Sequence, residues 1–464
     1  MRTGERVRTG SESDALAWVH TDAAAFFQAQ LHAAGAHAAA ARALLQARAV
    51  PAAAAAAYGL GYAPPGWTSL TSHLRALGHP AARLVAAGVS LPGRHGALLD
   101  RFRNRVIFPV HDPSGSHIIA FLGRLVPTAA QPAAAQPARP VGLGADGQLA
   151  HQVAAGAAAP KYLNSPQTAS YRKGDVLYGL GADPARRALT AGAVPVLVEG
   201  PLDAIAVTWS HPPAAGPSGA WPADLPRYVG VAPCGTALTA AQVAVLQTHA
   251  GSLADRGIIT AFDSDPAGAD AGRRAFELLR AAGAWPTAAA LPAGWDPAEL
   301  TARHGPAALA AALRAAGPLA DLVVDAQLEP WTDRLRWAEG RIGATRAAAH
   351  LLAGFPPEHV GRQVHRAAGR LGLTDADLTA ALLEAVSPER PPTLPHLSGA
   401  PATTGESPAP TAARLAGASY PHALAGRHGP GPPGPGGPPR TALSTASRRP
   451  ALPAAAATDR TTHH

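Results

Sequence analysis

Apolar and polar positions follow several rhythms along the chain. Over residues 14–48, Ala15, Trp18, Phe26, Phe27, Leu31, Leu44 and Leu45 recur near helical spacing, which predicts helix. Residues 58–67 read YGLGYAPPGW, a Gly/Pro turn carrying aromatics. Two short helices are expected near 69–77 and 80–87, each ending by a glycine. In the stretch DRFRNRVIFPV (100–110) three arginines alternate with Phe102 and Asn104 ahead of an apolar run. Strand alternation would put Arg101, Arg103 and Arg105 on one face. A turn at 112–115 and a second apolar run at 118–121 complete a hairpin-like pair that ends at Gly123-Arg124.

The rhythm changes after residue 190. Apolar runs of strand type alternate with helical patterns: strands at 194–199, 228–232, 257–262 and 286–290, helices at 201–209, 239–249 and 268–282. Such alternation implies a parallel sheet with right-handed crossovers. Helices are expected to continue at 304–316, 319–328, 331–353, 357–371 and 375–386. Four stretches lack periodicity: 1–13, expected to be disordered; 127–159, expected to be a mobile insertion; a Pro/Gly loop at 211–226; and a Pro/Gly/Ala-rich tail at 388–464. The expected class is α/β. An α+β N-terminal subdomain would span 14–180, a mainly parallel sheet domain 181–302, and a helical subdomain 303–387.

Two of the strand-like runs end in carboxylates. Val194–Ala206 reads VPVLVEGPLDAIA and Gly257–Asp270 reads GIITAFDSDPAGAD. Ligands of open parallel sheets bind beyond the carboxyl ends of the strands. If the two strands are neighbours, Glu199, Asp263 and Asp265 converge on one crevice. Like charges that close raise each other's pKa unless a cation shares the site. Hard oxygen ligands of this kind suit Mg²⁺. Asp203, one helical turn beyond Glu199, can face the same crevice, and Asp296 comes after the last strand-like run. Each acid taken singly also fits a plain helix cap or turn, Asp296 in its Asp-Pro as readily as a ligand.

Composition sharpens the picture at one place. Lys and Arg number 39 against 31 acids, a net charge of +8; residues 391–464 hold six Arg and two acids, so half of the excess lies there. That balance is compatible with a polyanionic partner without demonstrating one. Among the 39 cations only Lys161 and Lys173 are lysines, and Asn104 and Asn164 are the only asparagines. A bias toward Arg, Ala, Gly and Pro has displaced these residues elsewhere. Two lysines within 13 residues therefore mark a site, because Arg and Lys are not interchangeable at phosphate. The single cysteine, Cys234, excludes a disulfide framework and a Cys-based zinc ribbon. The N-terminus lacks a signal-peptide core. No run reaches the roughly 18 apolar residues of a membrane span. A cytoplasmic location without membrane contact is expected.

A strand ending in E-G-x-x-D-A-x-A, followed by a strand ending in D-x-D-x-A-G, resembles the Toprim domain shared by bacterial primases, topoisomerases and some nucleases. Further text narrows the resemblance to the RNA-polymerase core of DnaG-type bacterial primases over roughly residues 14–386: GYAPPGW (61–67), DRFRNRVIFPV (100–110), GSHIIAFLGR (115–124), KYLNSP (161–166), KGDVLYGL (173–180), VEGPLDAIA (198–206), VAPCGTALT (231–239), FDSDPAGADAGRRA (262–275) and DPAEL (296–300). The resemblance implies synthesis of short RNA primers on single-stranded DNA from NTPs with Mg²⁺ or Mn²⁺. It implies Glu199, Asp263 and Asp265 as the catalytic carboxylates and Asp203 and Asp296 as further metal ligands. Nucleotide and DNA contacts would come from Arg103, Asn104, Arg105, Arg124, Lys161, Tyr162, Asn164 and Lys173. Arg101 and Arg172 read as a solvated face.

The text also departs from the family. A second acid usually stands two residues after the first at the D-P-D motif; here that place is Ala298, with Glu299 next. No Cys/His zinc-ligand spacing precedes the core, and His32 and His37 read as helix-surface histidines, so no zinc is expected in this chain. The residues past 388 do not resemble a helicase-binding domain. The partners implied are a replicative or element-encoded helicase and a separate zinc-bearing template-recognition protein. Two rival readings are a DNA-cleaving Toprim nuclease or topoisomerase, and a non-catalytic single-stranded-DNA-binding accessory of a mobile element. RFRNR and KYLNSP argue against the first, the intact carboxylate trio against the second.

Overall fold

The computed structural model describes residues 12–127, 159–210, 225–263 and 265–387. The expectations for 1–11, for most of the 127–159 and 211–226 segments, and for 388–464 lie outside the described residues. The N-terminal part opens with helices α1 (Glu12–His32) and α2 (Ala36–Ala47), which make up the helical stretch expected over 14–48, and α3 (Ala52–Ala57), which follows it. A turn at 33–35 folds α2 back against α1, so the apolar stripe is shared by two helices rather than carried by one. Strand β1 (Gly61–Ala63) lies within the expected aromatic turn. Helices α4 (Ser69–Ala76) and α5 (Ala81–Ala86) match the two short helices, and a small hairpin pairs β2 (Ser90–Pro92) with β3 (Leu98–Asp100).

The first sheet is an antiparallel meander in the order β1, β4 (Arg105–His111), β5 (Ile118–Leu125), β6 (Tyr162–Asn164). The β4–β5 hairpin is the pair expected from its two apolar runs. Its core is apolar: Val106, Ile107, Phe108, Ala120 and Phe121 are fully buried. One face packs on α1 through Phe27, whose ring meets Phe121 edge-on at 5.4 Å.

The second sheet has the order β12 (Gly317–Pro318), β11 (Thr287–Ala288), β10 (Ile259–Thr260), β8 (Val194–Leu197), β9 (Tyr228–Pro233), β7 (Leu177–Tyr178). The four central strands are parallel, and both edge strands are antiparallel. Helices α6 (Asp183–Ala191), α7 (Pro201–Thr208), α8 (Ala240–Ala250), α9 (Leu253–Arg256) and α10 (Pro266–Ala281) connect them. Helix α7 is buried along its whole length. It lies so close to β9 that a Cβ on Gly230 would stand 2.3 Å from the Ala204 carbonyl oxygen.

The expected 304–316 helix is α12 (Pro306–Arg314); a further helix that the pattern did not announce, α11 (Pro297–His304), precedes it, and Gly305, with φ 82°, ends the first and starts the second. The last four are α13 (Leu319–Leu328), α14 (Ala338–Ala353), α15 (Pro357–Leu371) and α16 (Asp375–Val386). The expected 331–353 helix instead begins as a 3₁₀ turn over Glu329–Arg334. Asp321, Asp325 and Glu329 face Arg362, Arg366 and Arg370 in an ion-pair ladder between α13 and α15. Among the described residues no helix is long and apolar enough to cross a membrane.

Two polar links tie the N-terminal part to the second sheet and its helices. The Tyr58 hydroxyl donates to Thr208 Oγ1 at 3.0 Å, and Asn164 Nδ2 donates to the Cys234 carbonyl at 2.8 Å.

Candidate active site

Strands β8 and β10 are parallel neighbours, with Val196 opposite Ile259 and Leu197 opposite Thr260. Both therefore deliver their next few residues to the same sheet end. Glu199 stands two residues past β8, and Asp263 three past β10. Glu199 Oε1 accepts the Asp263 N–H at 3.1 Å. Asp265 caps α10, its Oδ1 accepting the Gly268 N–H at 2.8 Å. The cradle is tight: a Cβ on Gly268 would lie 2.0 Å from the Asp263 carbonyl oxygen and 3.1 Å from Glu199 Oε1.

The other two expected acids stand deeper. Asp203, in the first turn of α7, is buried, and its Oδ1 accepts the Ala298 N–H at 3.2 Å. Asp296 caps α11, its Oδ1 accepting the Glu299 N–H at 2.5 Å. Its Oδ2 pairs with Arg48 Nη1 at 3.1 Å. Arg48 escapes sequence reasoning. It stands directly after α2 and lies 248 residues from its partner, with no local signal to single it out.

The electrostatics reflect carboxylates that share one crevice. The Asp263 carboxyl is pushed up to about 6, first by burial and then by Glu199, Asp296 and Asp265. Glu199 is raised by desolvation and by Asp265 and Asp296. Asp203 is raised to about 8, first by burial and then by Asp296. Among the described residues no three acidic, His or Cys side chains already close around one point as a formed metal cluster. The hard-oxygen donor set, the like-charge strain among Glu199, Asp263 and Asp265, and the glycine cradle fit a divalent cation at this sheet end.

Cationic groups face the acids. Lys161 immediately precedes β6, and its ammonium pKa is lowered by desolvation and by Arg124 and Arg48, while Asp296 and Asp263 act in the opposite direction. Its charge therefore feels both the guanidinium groups and the acids. Arg124 on β5 stands opposite Tyr162 on β6. It donates to the Tyr162 hydroxyl at 2.7 Å and lies 5.2 Å from the ring centroid. Burial pushes that hydroxyl up to about 12.

The remaining expected contacts lie elsewhere or are engaged. Asn104 adopts φ 49°, so the chain bends there and β4 begins only at Arg105. The three arginines consequently do not share a strand face. Arg103 stacks on Trp67 at 3.8 Å and donates to the Asp100 carbonyl. Arg101 is buried rather than solvated, its Nε donating to the Asn164 carbonyl at 3.1 Å. Arg105 is also buried, and its Nη1 bridges the Gly123 and Lys161 carbonyls at 3.0 and 3.3 Å. Asn104 receives the Tyr62 hydroxyl on Oδ1 and donates from Nδ2 to the Val126 carbonyl. Asn164 spans to Cys234 across the two sheets. Lys173 opens a 3₁₀ turn whose carbonyl accepts from Gln242 Nε2, and its charge acts on the buried Cys234 thiol. Arg172, His32 and His37 are exposed as expected. Glu299, beside the place where an acid was expected, pairs with Arg303 at 2.5 Å.

Comparison with known proteins places the whole arrangement. Residues 26–183 match the family model described as the DNA primase catalytic core, N-terminal domain, and residues 196–301 match the Toprim-like model. A DNA primase of Mycobacterium tuberculosis is 32% identical over 345 residues, 74% of this chain and 46% of that protein. One from Streptomyces coelicolor is 31% identical over 373 residues, 80% of this chain and 50% of that protein. The chain spans about half the length of the curated relatives it matches. Among solved structures, the RNA polymerase domain of Mycobacterium tuberculosis primase DnaG superposes with a TM-score of 0.59 at 29% identity, covering 79% of this chain and 100% of that one. A DnaG primase catalytic domain bound to single-stranded DNA gives 0.56 at 26% identity, covering 79% and 99%. With both domain models matched in order and the same core superposing from end to end, the chain belongs to the DnaG-type primases, carrying their catalytic core and its Toprim domain.

Proposed function

We propose that this chain joins NTPs into short RNA primers on a single-stranded DNA template, as a DNA primase-type nucleotidyltransferase dependent on Mg²⁺ or Mn²⁺. The observation that carries the reading is the crevice itself. Carboxylates at the ends of two adjacent parallel strands lie within electrostatic reach of Lys161, whose charge Arg124 and Arg48 also feel, and Arg48 pairs with Asp296. Acids alone would suit any cation site, and cations alone any phosphate. Their opposition fits a triphosphate whose oxygens need both. Relatives named DNA primase, and a similar catalytic domain solved with single-stranded DNA, point the same way.

In this reading Glu199, Asp263 and Asp265 hold the cation. When bound, it offsets phosphate charge and lowers the pKa of the attacking hydroxyl. Lys161 binds a phosphate oxygen as a point charge, and Arg124 as a planar fork. Tyr162 orients Arg124 through its hydroxyl. Arg105, buried beneath, fixes the Lys161 backbone and so aims the ammonium. The 3′-hydroxyl of the growing primer gives up its proton to solvent, its oxygen bonds to the α-phosphorus, the bridge to the β-phosphate breaks, and pyrophosphate leaves carrying that electron pair. Arg103 on its Trp67 platform and Lys173 extend the basic surface toward template phosphates, which position a strand without reading its sequence. The place of work is the cytoplasm, and the partners are a replicative or element-encoded helicase and a zinc-bearing template-recognition protein.

The test is labelled NTP incorporation on single-stranded DNA, with Mg²⁺ or Mn²⁺, by the wild type and by Asp263→Asn and Glu199→Gln. Synthesis by the wild type and its loss in both variants, with melting temperatures kept, is expected. Near-normal synthesis in either variant would sink the assignment. Template cleavage without NTP incorporation would favour a nuclease.

A further inference from the structure

The five carboxylates of the crevice divide by what already satisfies them. Asp296 has both oxygens engaged, Oδ1 by the Glu299 N–H at 2.5 Å and Oδ2 by the Arg48 guanidinium at 3.1 Å. Asp203 points its Oδ1 at the Ala298 N–H, 3.2 Å away, at the start of the same helix. Both acids thus face the N-terminus of α11, whose eight residues carry a partial positive charge of roughly half a unit there. The next side chain that could have added an oxygen is Ala298, fully buried and apolar. The one after it, Glu299, pairs with Arg303 one turn along. On the other side, Glu199 and Asp265 accept backbone N–H groups, from Asp263 and Gly268.

We infer that the Asp203–Asp296 half of the crevice takes no divalent cation. Arg48 is its resident positive charge, and divalent binding is confined to the Glu199–Asp263–Asp265 side. This rests on reading the crevice as the metal-dependent site of primer synthesis. The charge balance carries it. Two carboxylates facing one guanidinium and the N-terminus of α11 retain about half a negative charge between them, whereas the three carboxylates at the N-terminus of α10 have, among the described residues, only the more distant Lys161 charge and no guanidinium in direct contact, and so keep more. A hard dication goes where the uncompensated oxygens are. Arg48 is accordingly a positioning residue: it ties the start of α11, and with it Asp203, to the end of α2. Both chain segments are thereby held at a fixed distance from the reacting side without a second ion between them.

The experiment counts Mn²⁺ bound to the full chain by the electron paramagnetic resonance of the free ion, without NTP or DNA. Asp203→Asn keeps the Oδ1 acceptor and removes only the charge. It is expected to leave both the number of bound ions and their affinity unchanged, while Asp263→Asn loses tight binding. Arg48→Met is expected to gain one weak ion, and Arg48→Lys to gain none. Loss of an ion in Asp203→Asn, retention of tight binding in Asp263→Asn, or an unchanged count in Arg48→Met would each overturn the inference. Should Arg48→Met fail to fold by its melting curve, the Asp203→Asn count decides alone. Absent primer synthesis beside an intact Mn²⁺ pattern would instead refute the functional reading and leave the division of the crevice standing.

Discussion

Replacing Gly268 by alanine tests the active-site geometry with a single methyl group. Gly268 is the third residue of α10, and its N–H is the donor that Asp265 caps. The new Cβ would lie 2.0 Å from the Asp263 carbonyl oxygen, 2.9 Å from its carbon and 3.1 Å from Glu199 Oε1. Ordinary contact begins at 3.4 Å, so the Asp263 backbone must retreat by about 1.4 Å or α10 must tip away by as much. Either motion pulls the Asp263 N–H from Glu199 and separates the acids proposed to share the cation. Overpacking of this kind costs about 1–3 kcal/mol of stability. A misplacement near 1 Å at a reacting centre costs on the order of a hundredfold in rate. The expected result is therefore a rate of primer synthesis lowered about a hundredfold, weaker Mn²⁺ binding, and a melting temperature lower by several degrees. Gly361→Ala is the control, since its Cβ would meet nothing within 4 Å in α15. It should keep full activity and gain about 0.5–1 kcal/mol from helix propensity. Wild-type synthesis and Mn²⁺ affinity in Gly268→Ala would refute the claim that the Glu199–Asp263–Asp265 spacing is what the cation reads.

Arg105→Ala should destabilise the chain by about 2–4 kcal/mol in urea unfolding, because two carbonyls lose a buried charged donor and a cavity opens beneath β5 and β6; a loss below about 0.5 kcal/mol would mean the clamp is ornamental. Lys161→Arg and Lys173→Arg should each impair synthesis more than Arg172→Lys does, since charge is kept and only shape changes; equal activity in all three would reduce the lysine pairing to an accident of composition. Mn²⁺ affinity should fall as the pH drops through about 6, where the Asp263 carboxyl, raised by burial and by Glu199, takes up a proton that competes with the cation; above that pH the carboxylate is ionised and affinity should level off, and a flat titration from mildly acid to neutral conditions would contradict the shared site.

The elements that carry the carboxylates were legible from short patterns. VPVLVEG and GIITAFD announce parallel strands because both faces of such a strand are buried, leaving no polar alternation to blur the run. The two lysines stand out in a chain that uses Arg almost everywhere, and of the two only Lys161 acts on the crevice acids, Lys173 lying by Gln242 and Cys234. Other expectations failed where a local pattern was overruled at one residue. Arg101, Arg103 and Arg105 alternate as a strand would, yet Asn104 at φ 49° bends the chain and sends the three side chains to different partners. Asn104 and Asn164, where the family resemblance implies nucleotide contacts, also have structural work that no local pattern announces: their amides close a turn and reach the end of the second sheet.

The amino-acid order by itself therefore determined local things: which segments form strands and helices, which acids end them, and that the class is α/β. Only the tertiary structure decided which of those acids stand together and what answers their charge. Arg48 carries no mark in its own neighbourhood, because a guanidinium placed directly after an alanine-rich helix looks like any solvated cation. Its pairing with Asp296 depends on the first sheet and the Toprim sheet closing on each other, 248 residues apart. Periodicity reports the field of the nearest few residues. The division of the crevice into a compensated half and an uncompensated half depends on through-space charge, which sequence distance does not measure.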